Sequence, residues 1–364
     1  MWEVDTHFRL TYSSAGVKEL LGYEASELLG RSTLDLMPKS EGGAARELMR
    51  RSVAGGTGWD GVENTWLRAD GSLITLRSDA AVLLDEQGRV VGLRGTRRAV
   101  TAAEITDHAL AGARLRVTSV LASEGVIVAM QPIVDLGSGK LVGVEALARF
   151  CDGRAPDLWF DEARDVGRGL DLDRLAFRRS LAQLPLLPRD CYLSVNATPE
   201  YALSGLLTTD LLQSDVPLAR IVIEITEHAR VSSYSDLQAV LTPLRERGVR
   251  LAVDDTGAGY ASLTHVLNLR PSIIKIDRSL ITNIVDDAAR RSLVTALVLL
   301  AGDLCASVTG EGIESPVELQ TLAALGVHCG QGYLLARPST DARRWRGWGS
   351  RNWLASPLAA MART

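Results

Sequence analysis

Short apolar runs alternate with longer amphipathic segments from about residue 126 onward. Short runs of this kind are typical of buried strands, whereas apolar residues spaced three and four apart predict helices. The predicted strands are Val126 to Val134, Leu141 to Leu147, Tyr192 to Val195, Ile221 to Ile225, Leu251 to Val253, Ile273 to Ile276, Ala306 to Thr309 and Gly332 to Leu335. The helices predicted between them are Leu172 to Leu184, Tyr234 to Arg247, Ala289 to Asp303 and Pro316 to Leu325.

Eight strands with helices between most of them predict an α/β fold, namely a TIM-like (β/α)8 barrel. The first two strands are separated only by Gly137-Ser138-Gly139. A connection this short forms a hairpin, so we expect the barrel to begin with an antiparallel strand. The tail from Arg343 to Trp353 carries three tryptophans, and we expect it to form a helix that caps the barrel.

The first hundred residues follow a different pattern. A strand at Phe8 to Tyr12 precedes short helices, the longest near Ala44 to Val53, and three further strands come after them. Asp70-Gly71 and the stretch Asp85 to Gly88 lie between alternating runs, as the turns of antiparallel hairpins do. This arrangement predicts a small α+β domain over residues 1–100.

A helix-like segment over residues 101–125 connects this domain to the barrel, which we assign to residues 126–364 together with its C-terminal helix. The apolar residues of the segment 101–125 form only a weak heptad pattern, with members Ile105, Ala109, Gly112 and Leu115. The segment is either a plain connecting helix or a signalling helix that pairs across a homodimer, and the pattern leaves both interpretations open.

Composition and charge are those of a globular protein. The chain has 364 residues, enough for two or three domains, and is 46% hydrophobic and 23% charged. A net charge of −4 argues against a general affinity for nucleic-acid polymers or anionic membranes. The four cysteines stand far apart, and no apolar run approaches the roughly 20 residues that span a bilayer. We therefore expect a cytoplasmic protein without disulfides, without a cysteine-based zinc site and without a membrane segment.

Polar residues end the predicted barrel strands, where barrel enzymes carry out their chemistry. Asp254 and Asp255 are adjacent carboxylates that follow the apolar run Leu251 to Val253. One can cap the next helix while the other is solvated, or both can bind metal, and the dipeptide alone leaves both options open. The other strand ends supply Glu145, Asn196, Glu224, Lys275, Asp277, Glu311 and Gln331.

So many acids on one rim are unstable unless cations lie among them. Ligands that are all oxygen atoms favour magnesium or manganese over zinc. Hard cations in an acidic site are typical of enzymes that act on phosphate esters or stabilise enolates. The residues alone thus predict a metal-dependent barrel enzyme of one of these two classes.

Eight local motifs occur along the barrel in a fixed order. They are Gln131 to Leu136, Gly143 to Phe150, Val195 to Pro199, Glu224 to Glu227, Asp254 to Tyr260, Lys275 to Asp277, Glu311 to Glu314 and Gln331 to Tyr333. With them, the stretch from about residue 115 to 340 resembles the EAL domain, a cyclic di-GMP phosphodiesterase named for the motif at Glu145-Ala146-Leu147. The resemblance implies hydrolysis of cyclic di-GMP to linear pGpG with two Mg²⁺ or Mn²⁺ ions.

The resemblance also implies a role for each matching residue. The implied metal ligands are Glu145, Asn196, Glu224, Asp254, Asp255 and Glu311. The implied catalytic residues are Glu311, Lys275, Asp255 and Glu145. The implied substrate contacts are Gln131, Arg149, Gln331 and Asp277. In this arrangement Asp254 bridges the two ions, and Glu227 steadies the loop that follows Asp255.

Turn glycines and core positions in the first hundred residues resemble those of a PAS sensor domain. The matching segments are Leu21 to Tyr23, Leu29 to Arg31, Arg68 to Ser72 and Asp85 to Gly92. The resemblance implies a regulatory domain, whose ligand is unknown from the sequence. No cysteine precedes Cys151, which excludes a cysteinyl–flavin adduct, and an edge histidine such as His7 is more often structural than a haem ligand.

Two residues of the loop after the aspartate pair depart from the family pattern. Thr256 stands where the family has an aromatic residue, and Ala258 where it has a hydroxyl residue. These departures leave the turnover rate open, so one alternative is a receptor that binds cyclic di-GMP without cleaving it and signals to a protein partner. Every implied metal ligand is present, which favours the enzyme, and the ordered motifs disfavour an unrelated barrel metalloenzyme.

Overall fold

Two tight turns organise the N-terminal sheet, as the sequence predicts. Asp70 accepts a hydrogen bond from the backbone N–H two residues ahead, and Gly71 has φ +83°. Asp85 does the same at the second turn, where Gly88 has φ +78°. An aspartate that binds the backbone ahead of it and a glycine with positive φ together reverse the chain. The strands on either side therefore pair antiparallel.

The structure, a computed structural model, describes residues 1–226, 231, 233–257 and 261–355 and separates into two units, Met1–Ala109 and Leu110–Thr364. In the first unit a five-stranded sheet has the order β2-β1-β5-β4-β3. Its strands are β1 (Trp2–Asp5), β2 (Leu10–Ser13), β3 (Trp59–Leu67), β4 (Leu73–Leu84) and β5 (Val90–Ala99). The helices of this unit are α1 (Val17–Leu21), α2 (Ala25–Leu28) and α3 (Lys39–Gly55).

Two details of this unit differ from the prediction. Strand β1 is not predicted from the sequence, because it has only four residues and no glycine or proline marks the turn after it. Phe8 has φ +65° in that turn. The longest helix begins at Lys39 rather than near Ala44, because Pro38 fixes the entry of the chain and the helix accepts Gly42 and Gly43 within it.

The predicted linker forms a single helix, α4 (Ala102–Ala122). In the barrel unit Val117 and Val120 are buried in a cluster with Phe150 and Trp159. Leu115, by contrast, is exposed. Part of the helix is thus committed to packing within its own chain, and pairing across a dimer stays a prediction.

Eight strands close the barrel, as predicted, in the order β10-β11-β12-β13-β6-β7-β8-β9. They are β6 (Val126–Asp135), β7 (Leu141–Phe150), β8 (Tyr192–Asn196), β9 (Ile221–Thr226), β10 (Arg250–Thr256), β11 (Ile273–Ile276), β12 (Ser307–Gly310) and β13 (Cys329–Gly330). Strand β6 is antiparallel to both of its neighbours, which confirms the expectation from the Gly137-Ser138-Gly139 hairpin. The strand predicted at Gly332 to Leu335 is wrong: Cys329–Gly330 closes the barrel, and the apolar run after it forms a turn.

The helices between the barrel strands are α5 (Pro156–Asp165), α6 (Gly169–Leu181), α7 (Pro199–Leu203), α8 (Leu206–Gln213), α9 (Tyr234–Glu246), α10 (Ala261–Leu269), α11 (Arg278–Ile281), α12 (Ala288–Asp303) and α13 (Pro316–Ala324). Helix α14 (Ala342–Arg346) follows the last strand. Local capping residues fix several of their starts. Ser315 accepts the N–H of Glu318, and the Glu318 side chain reaches back to the N–H of Ser315, so both donors are satisfied. No helix in the described ranges has the length and apolar content needed to cross a membrane.

The barrel interior is built in two layers. Side chains alternate along a strand, so each polar interior residue lies two positions from an apolar one. The apolar layer consists of Ile133, Tyr192, Val222, Ala252 and Ile273. The polar layer above it consists of Gln131, Ser194, Glu224, Asp254 and Lys275, all buried. The apolar layer therefore closes the floor beneath a buried polar site.

The tryptophan tail packs on the barrel, with a 3₁₀ turn at Trp348–Ser350 after α14. Trp345, Trp348 and Trp353 all belong to the core of the barrel unit. Trp353 is 1% exposed, and its backbone N–H donates to the Gly139 carbonyl of the hairpin that opens the barrel. The tail therefore ties the end of the described chain to the first barrel turn.

We expect Trp353→Ala to lower the free energy of unfolding by about 3–5 kcal/mol, the usual cost of removing a buried tryptophan side chain. The Trp353 indole N–H also donates to the Trp348 carbonyl, which would lose this partner. Urea denaturation followed by circular dichroism measures the change. Leu299→Ala, at a position 66% exposed on α12, is the control and should unfold like the parent. Equal midpoints for the two variants would show that the tail contributes nothing.

Candidate active site

The ammonium group of Lys275 lies at the centre of the polar layer. Its Nζ is 2.7 Å from Glu311 Oε1, 3.0 Å from Glu224 Oε2 and 3.0 Å from Asp254 Oδ1. Glu145 Oε2 lies slightly farther away, at 3.6 Å. Burial by itself lowers the pKa of a lysine, but these four carboxylates together hold the pKa of Lys275 well above its usual value. Lys275 is therefore charged.

The acids around Lys275 compete for its single charge. Burial raises the pKa of Glu224 well above its usual value, and the neighbouring Glu145 and Asp254 raise it further although Lys275 opposes them. Burial likewise raises the pKa of Glu311, with Asp254 as the next cause. Without more positive charge, some of these acids would take up protons. A divalent cation among them would remove that tendency.

Two groups of three carboxylates have the spacing that a metal ion requires. Glu145, Glu224 and Asp254 form one group, while Asp254, Asp255 and Glu311 form the other. In each group the candidate ligand atoms lie within 4.8 Å of one another. Asp254 belongs to both groups. The donors are all oxygen atoms, which suits magnesium or manganese.

A bulge presents Asp254 and Asp255 together. The pairing of β10 with β11 shifts register between Val253 and Thr256, and Asp255 has φ +55°. An extra residue in one strand re-aims the side chains around it. The Asp255 N–H donates to Asp254 Oδ1 at 3.0 Å, which holds the two residues in a fixed relation. In a regular strand the side chains of two consecutive residues point to opposite faces. The bulge therefore explains how Asp254 and Asp255 can belong to the same group of carboxylates.

Amides connect the acids to the closing strands of the barrel. Gln331 Nε2 donates to Glu145 Oε2 at 2.5 Å and to Gln131 Oε1 at 2.9 Å. Asn196 Nδ2 lies 3.4 Å from the other oxygen of Glu145. Gln331 Oε1 is buried without a hydrogen-bond partner among the described residues. An acceptor left open beside this acidic cluster fits a site that takes a cation or a cation-bound water.

A cavity of about 700 Å³ opens beside the cluster. Glu145, Asn196, Asp254 and Asp255 line one part of it, and Arg149 is the nearby cation predicted to contact substrate. The Arg149 guanidinium donates to the Ala148 carbonyl at 2.7 Å and keeps other N–H groups for a ligand. The cavity therefore extends from the carboxylate cluster to the Arg149 side chain.

The structure brings together most of the predicted site residues, though not all of them. Asp277 follows β11 and caps α11 by accepting the N–H of Ser279, so its contact with substrate stays a prediction. Glu227 and Ala258 lie outside the described residues. Thr256 is fully buried, and its hydroxyl has no partner among the residues that the structure describes. A larger side chain at Thr256 would need the surrounding core to move.

One buried polar residue next to the cluster escapes the sequence analysis. The hydroxyl of Ser194 donates to Glu224 Oε1 at 2.5 Å, while Lys275 holds the other oxygen of Glu224. The signal was present, because Ser194 lies two positions before Asn196 on the same strand and must face the same side. Ser194 thus fixes the orientation of a candidate ligand.

Comparisons with known proteins match both units of the chain to families. A family model described as the EAL domain matches residues 114–338, and a model of the PAS fold matches residues 10–97. The cyclic di-GMP phosphodiesterase RocR of Pseudomonas aeruginosa is 33% identical over 225 residues, which is 58% of this chain and 57% of that protein. The probable cyclic di-GMP phosphodiesterase PdeD of Escherichia coli is 29% identical over 226 residues, 59% of this chain and 42% of its own length.

Two solved structures of other proteins are similar in fold to this chain. BlrP1 of Klebsiella pneumoniae, in complex with calcium and cyclic di-GMP, has a TM-score of 0.52 at 31% identity and covers 59% of this chain and 56% of its own. The PaMucR phosphodiesterase in complex with c-di-GMP has a TM-score of 0.57 at 26% identity and covers 63% of this chain and 97% of its own. This chain spans only 32% to 42% of the length of the first three curated relatives. The EAL model alone matches more than half of the chain, and the chain therefore belongs to the EAL domain family.

Proposed function

We propose that this chain hydrolyses cyclic di-GMP to linear pGpG. The observation that carries the proposal is the sharing of Asp254 between two groups of three carboxylates around the buried Lys275. Two cation sites joined by one carboxylate suit the cleavage of a phosphodiester. Several relatives carry names that state this activity, and BlrP1 has been solved with cyclic di-GMP and either calcium or manganese.

The oxygen ligands divide between the two proposed ions. Glu145, Asn196, Glu224 and Asp254 would hold the first ion, and Asp254, Asp255 and Glu311 the second. When bound, Mg²⁺ or Mn²⁺ would activate a water molecule and neutralise charge on the phosphate.

The remaining residues order the site and take up charge. Lys275 offsets part of the repulsion among four acids, and its ammonium contacts the Glu311 carboxylate. A Glu311 carboxylate can accept a proton from the attacking water when the water lies within hydrogen-bond reach. Arg149 would pair with a phosphate of the substrate, and Gln331 and Gln131 would hold its polar edge.

Incubation with cyclic di-GMP and either Mg²⁺ or Mn²⁺ should yield pGpG, resolved from the substrate by liquid chromatography. Removal of the metal with a chelator should stop product formation, because the carboxylates would then have no cation to place beside the phosphate. Binding without product in either metal would instead favour the receptor that signals to a partner. If the protein neither bound cyclic di-GMP nor released pGpG, the proposal would be wrong.

The two aspartates should differ in what they contribute. Asp255→Asn keeps the shape and an oxygen ligand but removes one negative charge from the second group only. Turnover in Mg²⁺ should fall by about 10²–10³-fold, the typical cost of losing one such electrostatic contribution. Titration of cyclic di-GMP in Ca²⁺ should still show binding, because the first group is intact. Asp254→Asn weakens both groups and should also impair binding.

Asp190→Asn is the matched control for this pair. Asp190 is an exposed aspartate just before β8, at the opposite end of the strands from the site. It should leave both turnover and calcium-dependent binding unchanged. If Asp255→Asn turned over like Asp190→Asn, Asp255 would not serve a second ion.

We further propose that the PAS unit regulates the barrel through a homodimer and does not touch the substrate. The separate core of the unit and the helix α4 that follows it support this idea. Deleting residues 1–100 should change kcat by about fivefold or more, a typical allosteric coupling, and weaken dimerisation. Cyclic di-GMP affinity, measured by calorimetry, should stay the same. A folded truncation that no longer binds the nucleotide would contradict this arrangement.

A further inference from the structure

The inner face of the N-terminal sheet carries a cation among tryptophans. On β5 the side chains of Leu93 and Arg97 share the face that packs on the helices, because they lie four positions apart along one strand. Leu93, Trp2 and Trp66 belong to the same core cluster, and both tryptophans are 3% exposed. The central carbon of the Arg97 guanidinium lies 4.1 Å from each of their ring centroids. A charged group thus stands inside the hydrophobic half of this domain.

The neighbouring arginines of β5 differ from Arg97. Arg94 and Arg98 face the opposite side of the sheet and pair with Glu3 and Glu104, each at 2.7 Å. Arg97 has no carboxylate within ion-pair distance in the described parts of the chain, which include the whole N-terminal unit. Burial lowers the pKa of Arg97 to about 9, which still leaves it charged near neutral pH.

Two hydrogen-bond donors remain unsatisfied at this place. The Nε of Arg97 and the indole Nε1 of Trp2 are both buried and have no acceptor among the described residues. The indole of the adjacent Trp59, in contrast, donates to Ser78 at 3.1 Å. A buried donor without an acceptor loses its hydrogen bonds to water without compensation, and the loss is larger when the donor is charged. Stacking on two rings offsets part of this cost but supplies no acceptor.

The geometry of the sheet holds this arrangement in place. Trp2 lies against Gly95, where an added Cβ would come within 2.7 Å of the indole ring, so only glycine admits the ring at this depth. Trp66, on β3, approaches Arg97 from the opposite side of β5 to Trp2, across β4. Arg97 as a whole residue is only half-buried, although its Nε is buried. The two rings and the guanidinium are therefore held in a fixed arrangement.

We propose that the PAS unit binds a small oxyanion, a carboxylate or phosphate group, beside the indole N–H of Trp2, with Arg97 as its counter-charge. Both open donors require an acceptor, and the unbalanced cation requires a negative charge, which one oxyanion supplies together. Guanidinium groups match carboxylate and phosphate oxygens with two parallel hydrogen bonds. This proposal does not depend on what the barrel hydrolyses.

Calorimetric titration of the full chain, freed of divalent metal on a chelating resin and kept in Tris chloride, tests the idea. Acetate, malonate and inorganic phosphate are the probes, and they distinguish a carboxylate site from a phosphate site. At least one should bind with one equivalent per chain, and Arg97→Gln should bind it at least about tenfold more weakly, because the charge-assisted bonds are lost. Arg94→Gln, on the outer face of the same strand, should bind like the parent.

Two further variants distinguish the loss of the anion site from a loss of folding. Arg97→Lys keeps the charge without the planar fork and should fall between the parent and Arg97→Gln. Trp2→Phe keeps a ring over the guanidinium but removes one donor, so it should also weaken binding while circular dichroism stays unchanged. If the parent binds none of the three anions, or if Arg97→Gln binds as tightly as the parent, the site does not exist.

Discussion

The buried ammonium of Lys275 is the interaction on which the arrangement of the candidate active site depends. Four strands deliver carboxylates to it, and no two of those acids could remain ionised side by side in a dry interior without a cation between them. One ammonium balances one of four charges, and Asp255 adds a fifth acid at the edge. The excess of negative charge is built into the barrel, and it makes the site suitable for divalent cations.

The barrel can hold this charge because of what lies beneath it. The apolar layer formed by Ile133, Tyr192, Val222, Ala252 and Ile273 excludes water from below, so the acids are open to solvent from one side only. Two-residue alternation ties the layers together: moving a strand by one residue would exchange acid for aliphatic side chains on the inner face. The register that packs the core therefore also positions the ligands.

Much of this could be predicted from the sequence because strands and helices leave strong periodic signals. The closed barrel, its antiparallel first strand and the hairpin turns all followed from local patterns. The strand Cys329–Gly330 could not be predicted, because two residues are too few to show an alternation of polar and apolar positions. The apolar run after it has a pattern closer to that of a strand. The bulge at Asp255 is likewise invisible to a pattern of alternation, since it depends on how β10 pairs with β11.

Charge that lacks a partner is the feature that sequence alone conceals most completely. Arg94, Arg97 and Arg98 are the same residue type on one strand, and the sequence does not distinguish them. Arg94 and Arg98 form ion pairs with acids, whereas Arg97 lies between two indole rings. In the barrel the unbalanced charge is negative, and in the N-terminal unit it is positive. A folded domain has no reason to bury such a group for stability, because apolar residues of similar volume would serve as well or better. The solute proposed for each unit has the opposite sign to the unbalanced charge, and the surrounding donors or acceptors define which groups that solute must offer.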